Sequence, residues 1–385
     1  VAANREPAPP GSPAPAVAAA TVGAEVPGAT KARLLHSFGP NFEGQTPVNQ
    51  MRTYLQGRNW TVRPGAEGEA HVGTLKGVAG DGFFYINTHG GRAEVDDPSL
   101  PDGKIYSIQS STQVDENYER LYEGDLKGLR LVHFTARTGD QVKVLGFTTP
   151  IPVVDTRYAI TYRFVDAYMS FAPGSVVWLN ACYSGRSADF LNAFLRKGAA
   201  VVLGWSELLS AGAAYASAPY FVDRMLGANQ HEPKESPAQR AFPYDQVLAD
   251  MAGKGLDKDA ATGGLLRATV KSGLAHPPIF APSIKRMQVD ESEDKLHLHG
   301  FFGTEPGTVK VDGTAVAAQW AADHLVCTLP RTGAGASGDV VVEVRSVKSN
   351  ARQLTEWPVP LQYTWTSPGD MTGTKVEGSG TLRLR

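Results

Sequence analysis

The sequence predicts an α/β domain built on a mainly parallel sheet flanked by helices, followed by a separate all-β, immunoglobulin-like sandwich. Three observations carry this. Two apolar runs, residues 82–88 and 175–181, lack the alternation of a half-exposed strand and suit strands buried on both faces. Stretches with helical periodicity alternate with such runs, the pattern of βαβ units. Beyond residue 282 the helical period stops and short alternating segments take over, at the spacing of a sandwich.

Taken in order, residues 32–38 read as a short strand, and 47–56 as a helix with Val48, Met51, Tyr54 and Leu55 at i, i+3, i+4 spacing. Residues 60–62 form a second strand, 68–77 a weak helix and 82–88 a buried strand. The polar, acidic residues 92–127 read as loops. Segments 129–134 and 141–147 flank Thr138-Gly139-Asp140, a hairpin signal. Residues 158–171 read as a helix ending at Pro173, 175–181 as a strand, 189–197 as a helix stopped by Gly198, and 199–205 as the next strand. Further helices are expected over 211–226, 243–253 and 264–272. His276-Pro277-Pro278 and Pro282 mark a boundary, after which strands are expected over 295–299, 308–313 (ending in the Asp312-Gly313 turn), 324–329 and 339–345. The expected domains are therefore a tether over 1–30, an α/β domain over 31–278, a sandwich over 279–364, and a tail or the start of another domain over 365–385.

Bulk properties narrow the function classes. The chain has 385 residues, with 37 basic against 39 acidic side chains, a balance that argues against nucleic-acid binding. With 42% apolar residues it can bury real cores. No apolar stretch is long enough for a membrane span. Residues 1–30 are rich in Ala, Pro, Gly and Val and read as an extended tether. Such a tether fits an exported chain whose signal has been removed, so the expected location is secreted, periplasmic or cell-surface. The two cysteines, Cys182 and Cys327, exclude a multi-disulfide scaffold and a four-cysteine zinc site.

The chemistry-bearing residues sit at matching strand ends. One buried run ends in Asn87-Thr88-His89-Gly90-Gly91, the other in Asn180-Ala181-Cys182-Tyr183-Ser184-Gly185. Ligands of open α/β sheets bind outside the carboxyl ends of the strands, so two neighbouring strands of this kind would bring His89 and Cys182 to one edge. An imidazole there can take the thiol proton, and backbone N–H groups at the turns can face a developing oxyanion. Gly90, open to close approach, and the Cys182 amide are the natural donors.

These residues carry a resemblance. A hydrophobic strand ending in His89-Gly90, then a later one ending in Ala181-Cys182-Tyr183-Ser184-Gly185, resembles the caspase-hemoglobinase fold of clan CD cysteine peptidases. That group includes caspases, clostripain, gingipains, separase and the CHAT peptidases, and the local likeness is greatest to bacterial caspase-like and CHAT-type sequences. The helix from Phe190 and the strand ending in Trp205 fit the same pattern. The resemblance covers about residues 31–270, although 92–157 align with no part of the family. It implies an endopeptidase acting on protein or peptide substrates, with His89 and Cys182 as a dyad and Gly90 plus Cys182 as oxyanion hole. It implies no cofactor and no metal for the chemistry; the acidic loop with Glu94, Asp96 and Asp97 leaves calcium triggering open. For substrate binding it points to Trp205 and Glu207, and a second acidic candidate is Asp189, beside the reading of Asp189 as a solvated acid or helix N-cap. An acidic residue there would favour Arg or Lys before the scissile bond.

The C-terminal segment, from Pro282-Ser283-Ile284 through Leu296–Gly303, Trp320, Val326–Pro330 and Ser349-Asn350, resembles an IPT/TIG immunoglobulin-like module. Such modules act as spacers or bind a surface partner. Cys327 reads there as a buried structural thiol. His36, His133 and His297 read as ordinary surface or strand histidines, and His297 with His299 lacks an evident third metal ligand. The Gly-x-Ser-x-Gly elbow of serine hydrolases is absent around Ser184. Two rivals stand beside the peptidase: a catalytically silent scaffold of the same fold, and a zymogen held closed by residues 92–157.

Overall fold

The computed structural model describes residues 24–38, 45–63, 70–100, 102–138, 141–144, 147–150, 153–290, 292–330, 333–354, 359–366 and 377–384. Residues 31–94 lay down β1 (Lys31–His36), α1 (Gln45–Gln56), β2 (Thr61–Arg63), α2 (Val72–Lys76), β3 (Ala79–Asn87) and β4 (Gly90–Glu94). Then come β5 (Lys104–Gln113), α3 (Glu116–Lys127), β6 (Leu131–Thr138), β7 (Gln141–Val144), β8 (Phe147–Pro150), β9 (Val153–Thr161), α4 (Tyr162–Tyr168) and β10 (Ser170–Asn180). The unit closes with α5 (Ala188–Arg196), β11 (Val201–Trp205), α6 (Ala211–Leu226), α7 (Tyr244–Lys254) and β12 (Leu266–Val270).

Six strands form the central sheet in the order β12-β11-β10-β3-β1-β2, parallel except for the antiparallel edge strand β12. This is the mixed α/β architecture with a parallel-containing sheet that the apolar runs predicted. Phe83, Phe84, Tyr85 and Ile86 of β3 and Val176, Val177, Trp178 and Leu179 of β10 are all fully buried, because helices cover both faces. Alternate residues feed two cores: Phe83, Tyr85, Val176 and Trp178 pack with α1 and α6, while Phe84, Ile86, Val177 and Leu179 pack with Phe190 and Phe194 of α5.

Residues 92–127 are a correction. Only the described residues between β4, β5 and α3 are loop: β5 joins β4, β9 and β6 in a second, antiparallel sheet in the order β4-β5-β9-β6, and α3 follows β5. Their polarity misleads because β5 buries polar side chains that find partners. Ser110 Oγ donates to the Tyr158 carbonyl at 2.7 Å, and Thr112 Oγ1 accepts from the Val72 N–H at 2.9 Å. Asp115 caps α3, accepting from the Asn117 and Tyr118 amides. The helix expected over 158–171 is a second correction: β9 runs to Thr161, whose hydroxyl caps the short α4, and β10 begins at Ser170. The expected hairpin about 138–140 is a third, since β6 pairs with β9 and β7 with β8. The helix expected over 264–272 is a fourth; β12 pairs with β11, and as an edge strand it needs little apolar patterning.

The described end of the expected tether, residues 24–30, differs from a free linker. Ala24 and Val26 are buried, Glu25 bridges to Pro278, and the Gly28 N–H donates to the Pro173 carbonyl at 2.7 Å. Beyond it lie β13 (Ser283–Asp290), β14 (Lys295–Phe301), β15 (Thr308–Val311), β16 (Thr314–Val316), β17 (Ala318–Trp320), β18 (His324–Thr328), β19 (Gly338–Val344), β20 (Val347–Lys348) and β21 (Arg352–Leu354). They make two antiparallel sheets, β13-β14-β18-β17 and β16-β15-β19-β20, with β21 also on β19. Leu296, Leu298, Leu325, Val309, Val311, Val340 and Val342 lie in one buried cluster with Cys327. The last two strands, β22 (Val359–Thr366) and β23 (Glu377–Leu384), pair with each other, so β22 runs across the boundary expected at 364. Among the described residues no helix is long and apolar enough to cross a membrane.

Candidate active site

The two motif strands are neighbours. β3 and β10 run parallel with Ile86 opposite Leu179 and Asn87 opposite Asn180, and the Thr88 N–H extends the ladder to the Asn180 carbonyl at 3.0 Å. His89 and Cys182 each lie two residues beyond the Asn87–Asn180 pair, at the carboxyl end of the sheet. Both side chains are half-buried.

Cys182 occupies a sharp turn fixed from below. Tyr183 adopts the left-handed region, φ 58°, which costs a non-glycine residue energy that its surroundings must supply. They supply it through three bonds to the end of β11. The Tyr183 N–H donates to Glu207 O at 2.9 Å, the Gly185 N–H to Trp205 O at 2.8 Å, and the Trp205 N–H to Ser184 Oγ at 2.9 Å. Gly185 and Gly204 face each other so closely that a Cβ on either would meet the other's backbone at 2.8 Å. Ser184 is fully buried within this lattice. Beneath it Asn180 gathers Trp205 Nε1 at 2.9 Å on its Oδ1 and donates Nδ2 to the Ala214 carbonyl at 2.8 Å.

The His89 ring lies between two aromatic side chains, edge-on to Phe38 at 4.9 Å and parallel to Phe134 of β6 at 6.4 Å. The antiparallel sheet thus forms a wall of the site. From the same sheet, Tyr106 donates its hydroxyl hydrogen to the Cys182 carbonyl at 2.7 Å. Burial, with the nearby Cys182 adding to it, pushes the Tyr106 phenol far up, so it stays a neutral donor. Gly90 fits beneath this bond, where a Cβ would come 2.3 Å from the Tyr106 oxygen and 2.5 Å from Cys182 O. The Leu209 N–H approaches Cys182 Sγ at 3.4 Å. Tyr106, Phe134 and the Leu209 amide were not found from sequence, and no local signal marks them.

The residues expected to contact substrate separate. Glu207 lies beside the Cys182 turn, but its carboxylate pairs with the Arg186 guanidinium, which also lies 5.5 Å over the Tyr183 ring. Trp205 is a correction: it is fully buried, so its indole supports Asn180 from the core instead of facing a ligand. Asp189 is exposed in the first turn of α5, where its charge acts on Arg196, and Ser187, not Asp189, is the N-cap residue.

Of the acidic residues considered for calcium, Asp97 pairs with Arg163 at 2.7 Å and Glu94 with Lys104 at 3.7 Å. His324 stands beside His297 and His299 on the second strand of a ladder. Even so, among the described residues no three or more His, Cys, Asp or Glu side chains are arranged to hold a metal ion. Cys182 and Cys327 are both free thiols.

No family model and no curated protein match this chain. Among solved structures, a protease aligns over 86% of this chain and 68% of its own, at 11% identity and a TM-score of 0.35. The Arg-specific cysteine proteinase gingipain R aligns over 86% and 69%, at 11% identity and a TM-score of 0.33. A gamma-CGTase from alkalophilic Bacillus clarkii is 23% identical over 26% of this chain, which spans 15% of that enzyme, at a TM-score of 0.19. At these scores the likenesses carry no argument about function.

Proposed function

We propose that this chain is a cysteine endopeptidase of the caspase-hemoglobinase kind, with Cys182 as nucleophile and His89 as its acid–base partner. The observation that carries the reading is the adjacency of β3 and β10, with His89 and Cys182 at equivalent steps past the Asn87–Asn180 pair. In the reaction the Cys182 sulfur attacks the substrate carbonyl while His89 takes the thiol proton. His89 then gives that proton to the leaving amine as the C–N bond breaks. Water hydrolyses the thioester and restores the thiol. The oxyanion would lie against the N–H groups of Gly90 and Cys182. Support for Gly90 comes from its register: Gln109 N–H bonds to His89 O at 2.9 Å, which makes the next pair, Gly90 with Ile108, a non-hydrogen-bonded one whose N–H turns away from β5.

A basic residue before the scissile bond would have to compete with Arg186 for the Glu207 carboxylate, so the preference for Arg or Lys is weak in this reading. The region 279–364 serves as an immunoglobulin-like, IPT/TIG-type module, a spacer or partner-binding surface, and the protein acts outside the cytoplasm or on the cell surface. The test is cleavage of a mixed peptide library together with labelling by a thiol-directed peptide warhead. Wild type should cleave and be labelled at Cys182, and Cys182→Ala should do neither. Cleavage by Cys182→Ala at the wild-type rate sinks the assignment. A wild type whose exposed thiol ignores the warhead points instead to a silent scaffold, and activity appearing only after limited proteolysis points to a zymogen.

A further inference from the structure

The Leu209 N–H that faces Cys182 Sγ belongs to the entry of α6, one residue before its N-cap Ser210, whose hydroxyl accepts from Ala213 N–H. Amides at the start of a helix of this length carry partial positive charge and favour an anion beside them. Within residues 206–210 Leu208 is exposed and Leu209 packs, partly buried, against the core. The turn before β12 holds their backbone. Asp259 Oδ2 accepts from the Ser210 N–H at 2.6 Å, its Oδ1 accepts from the Ala261 N–H at 2.9 Å, and Thr262 Oγ1 donates to Leu208 O at 2.6 Å. Ser206 Oγ accepts from the Leu265 N–H at 3.0 Å. Asp259 is a buried carboxylate with no cation among these partners. Burial pushes its carboxyl up, but the hydrogen bonds from Ser210, Ala261 and Thr262 outweigh this and hold it below the ordinary carboxylate range.

We propose that Asp259 is a positioning residue for Cys182: by gripping the Ser210 amide it holds the Leu209 N–H against the sulfur and so keeps the thiol reactive. The carboxylate touches neither the sulfur nor a substrate; it acts through the backbone of residues 209–210. This rests on Cys182 being the reactive thiol, as proposed above. It is tested on thiol chemistry instead of turnover, so the two readings fail separately.

The experiment measures alkylation of Cys182 by iodoacetamide in the full chain at one neutral pH, read by mass spectrometry, beside amide hydrogen exchange at Leu209 and Ser210. Asp259→Ala should slow alkylation about tenfold and speed exchange at both amides, whereas Asp259→Asn, which keeps an oxygen acceptor, should recover to within about threefold of wild type. Unchanged alkylation in folded Asp259→Ala, or equal slowing in both variants, overturns the proposal. Should Asp259→Ala fail to fold, Thr262→Val removes an exposed staple of the same loop. Slower alkylation there supports the role, and an unchanged rate overturns it. Cleavage by Cys182→Ala would sink the peptidase reading without touching this result.

Discussion

Tyr106 of β5 donates its hydroxyl hydrogen to the carbonyl of Cys182 at 2.7 Å, joining the antiparallel sheet to the turn that carries the thiol. The bond is partly buried and spans 76 residues of sequence, so it fixes two elements that local preference alone would leave independent. Tyr106→Phe keeps the ring against Phe190 and removes only the donor. It should cost about 1–2 kcal/mol, the cost of leaving a partly buried carbonyl without its donor, and lower peptide cleavage while the far-UV spectrum stays unchanged. Equal denaturation midpoints for the two proteins would show that the bond is not formed in solution.

Gly90 is the position where substitution should be least tolerated. A Cβ there meets the Tyr106 oxygen at 2.3 Å and Cys182 O at 2.5 Å, and both neighbours are held by their own hydrogen bond. Gly90→Ala should therefore destabilise by about 1–3 kcal/mol and reduce cleavage more than Tyr106→Phe does. In the double variant with Tyr106→Phe, which removes the nearest clashing atom, part of the stability should return. A double variant whose cost is the sum of the single costs would argue against the clash.

The strand ends that hold His89 and Cys182 were legible because β3 and β10 are apolar on both faces, the pattern of strands in a sheet covered on both sides. What the sequence concealed has a common physical cause. β5 carries Ser107, Gln109, Ser110, Ser111 and Thr112, all buried, and polarity argued for a loop when Ser110, Ser111 and Thr112 in fact bond to backbone groups of Tyr158, His36 and Val72. The stretch 158–171 holds a strand, one short helix and the start of another strand, and no single period describes all three. Tyr106, Leu209 and Asp259 act on partners 76, 27 and 49 residues away, which spacing along one element cannot reveal. Trp205 failed differently: the resemblance points it at substrate, but the last residue of an interior strand is still core.

The two thiols should differ sharply. Cys327 of β18 is fully buried, and burial pushes its thiol up to about 12, whereas Cys182 is half-buried at the sheet edge. Titration of the native chain with a disulfide reagent should count one reactive thiol, lost in Cys182→Ser, and two after denaturation without reductant. A native count of zero with a count of two only after reduction would mean a disulfide, contrary to this structure.

Stability near neutral pH should respond to a histidine group on the outer face of β14 and β18. His299 is the ladder partner of His324, and their rings stack at 4.5 Å and 5°; His297 Nδ1 lies 3.1 Å from His324 Nε2, one of the two donating. Burial lowers the His299 imidazole first, and the charges of His324, Arg286 and His297 lower it further against an opposing pull from Asp323. An unfolded histidine takes its proton near pH 6.5, while folded His299 resists until lower pH. The unfolded chain therefore binds more protons as pH falls from about 7, and stability must drop with it. Urea midpoints measured from pH 8 to 5.5 should be flat at first and then decline, and His299→Gln, which cannot titrate, should decline less steeply. A midpoint that stays constant or rises on acidification through this range, or that falls as steeply in His299→Gln, would refute the account.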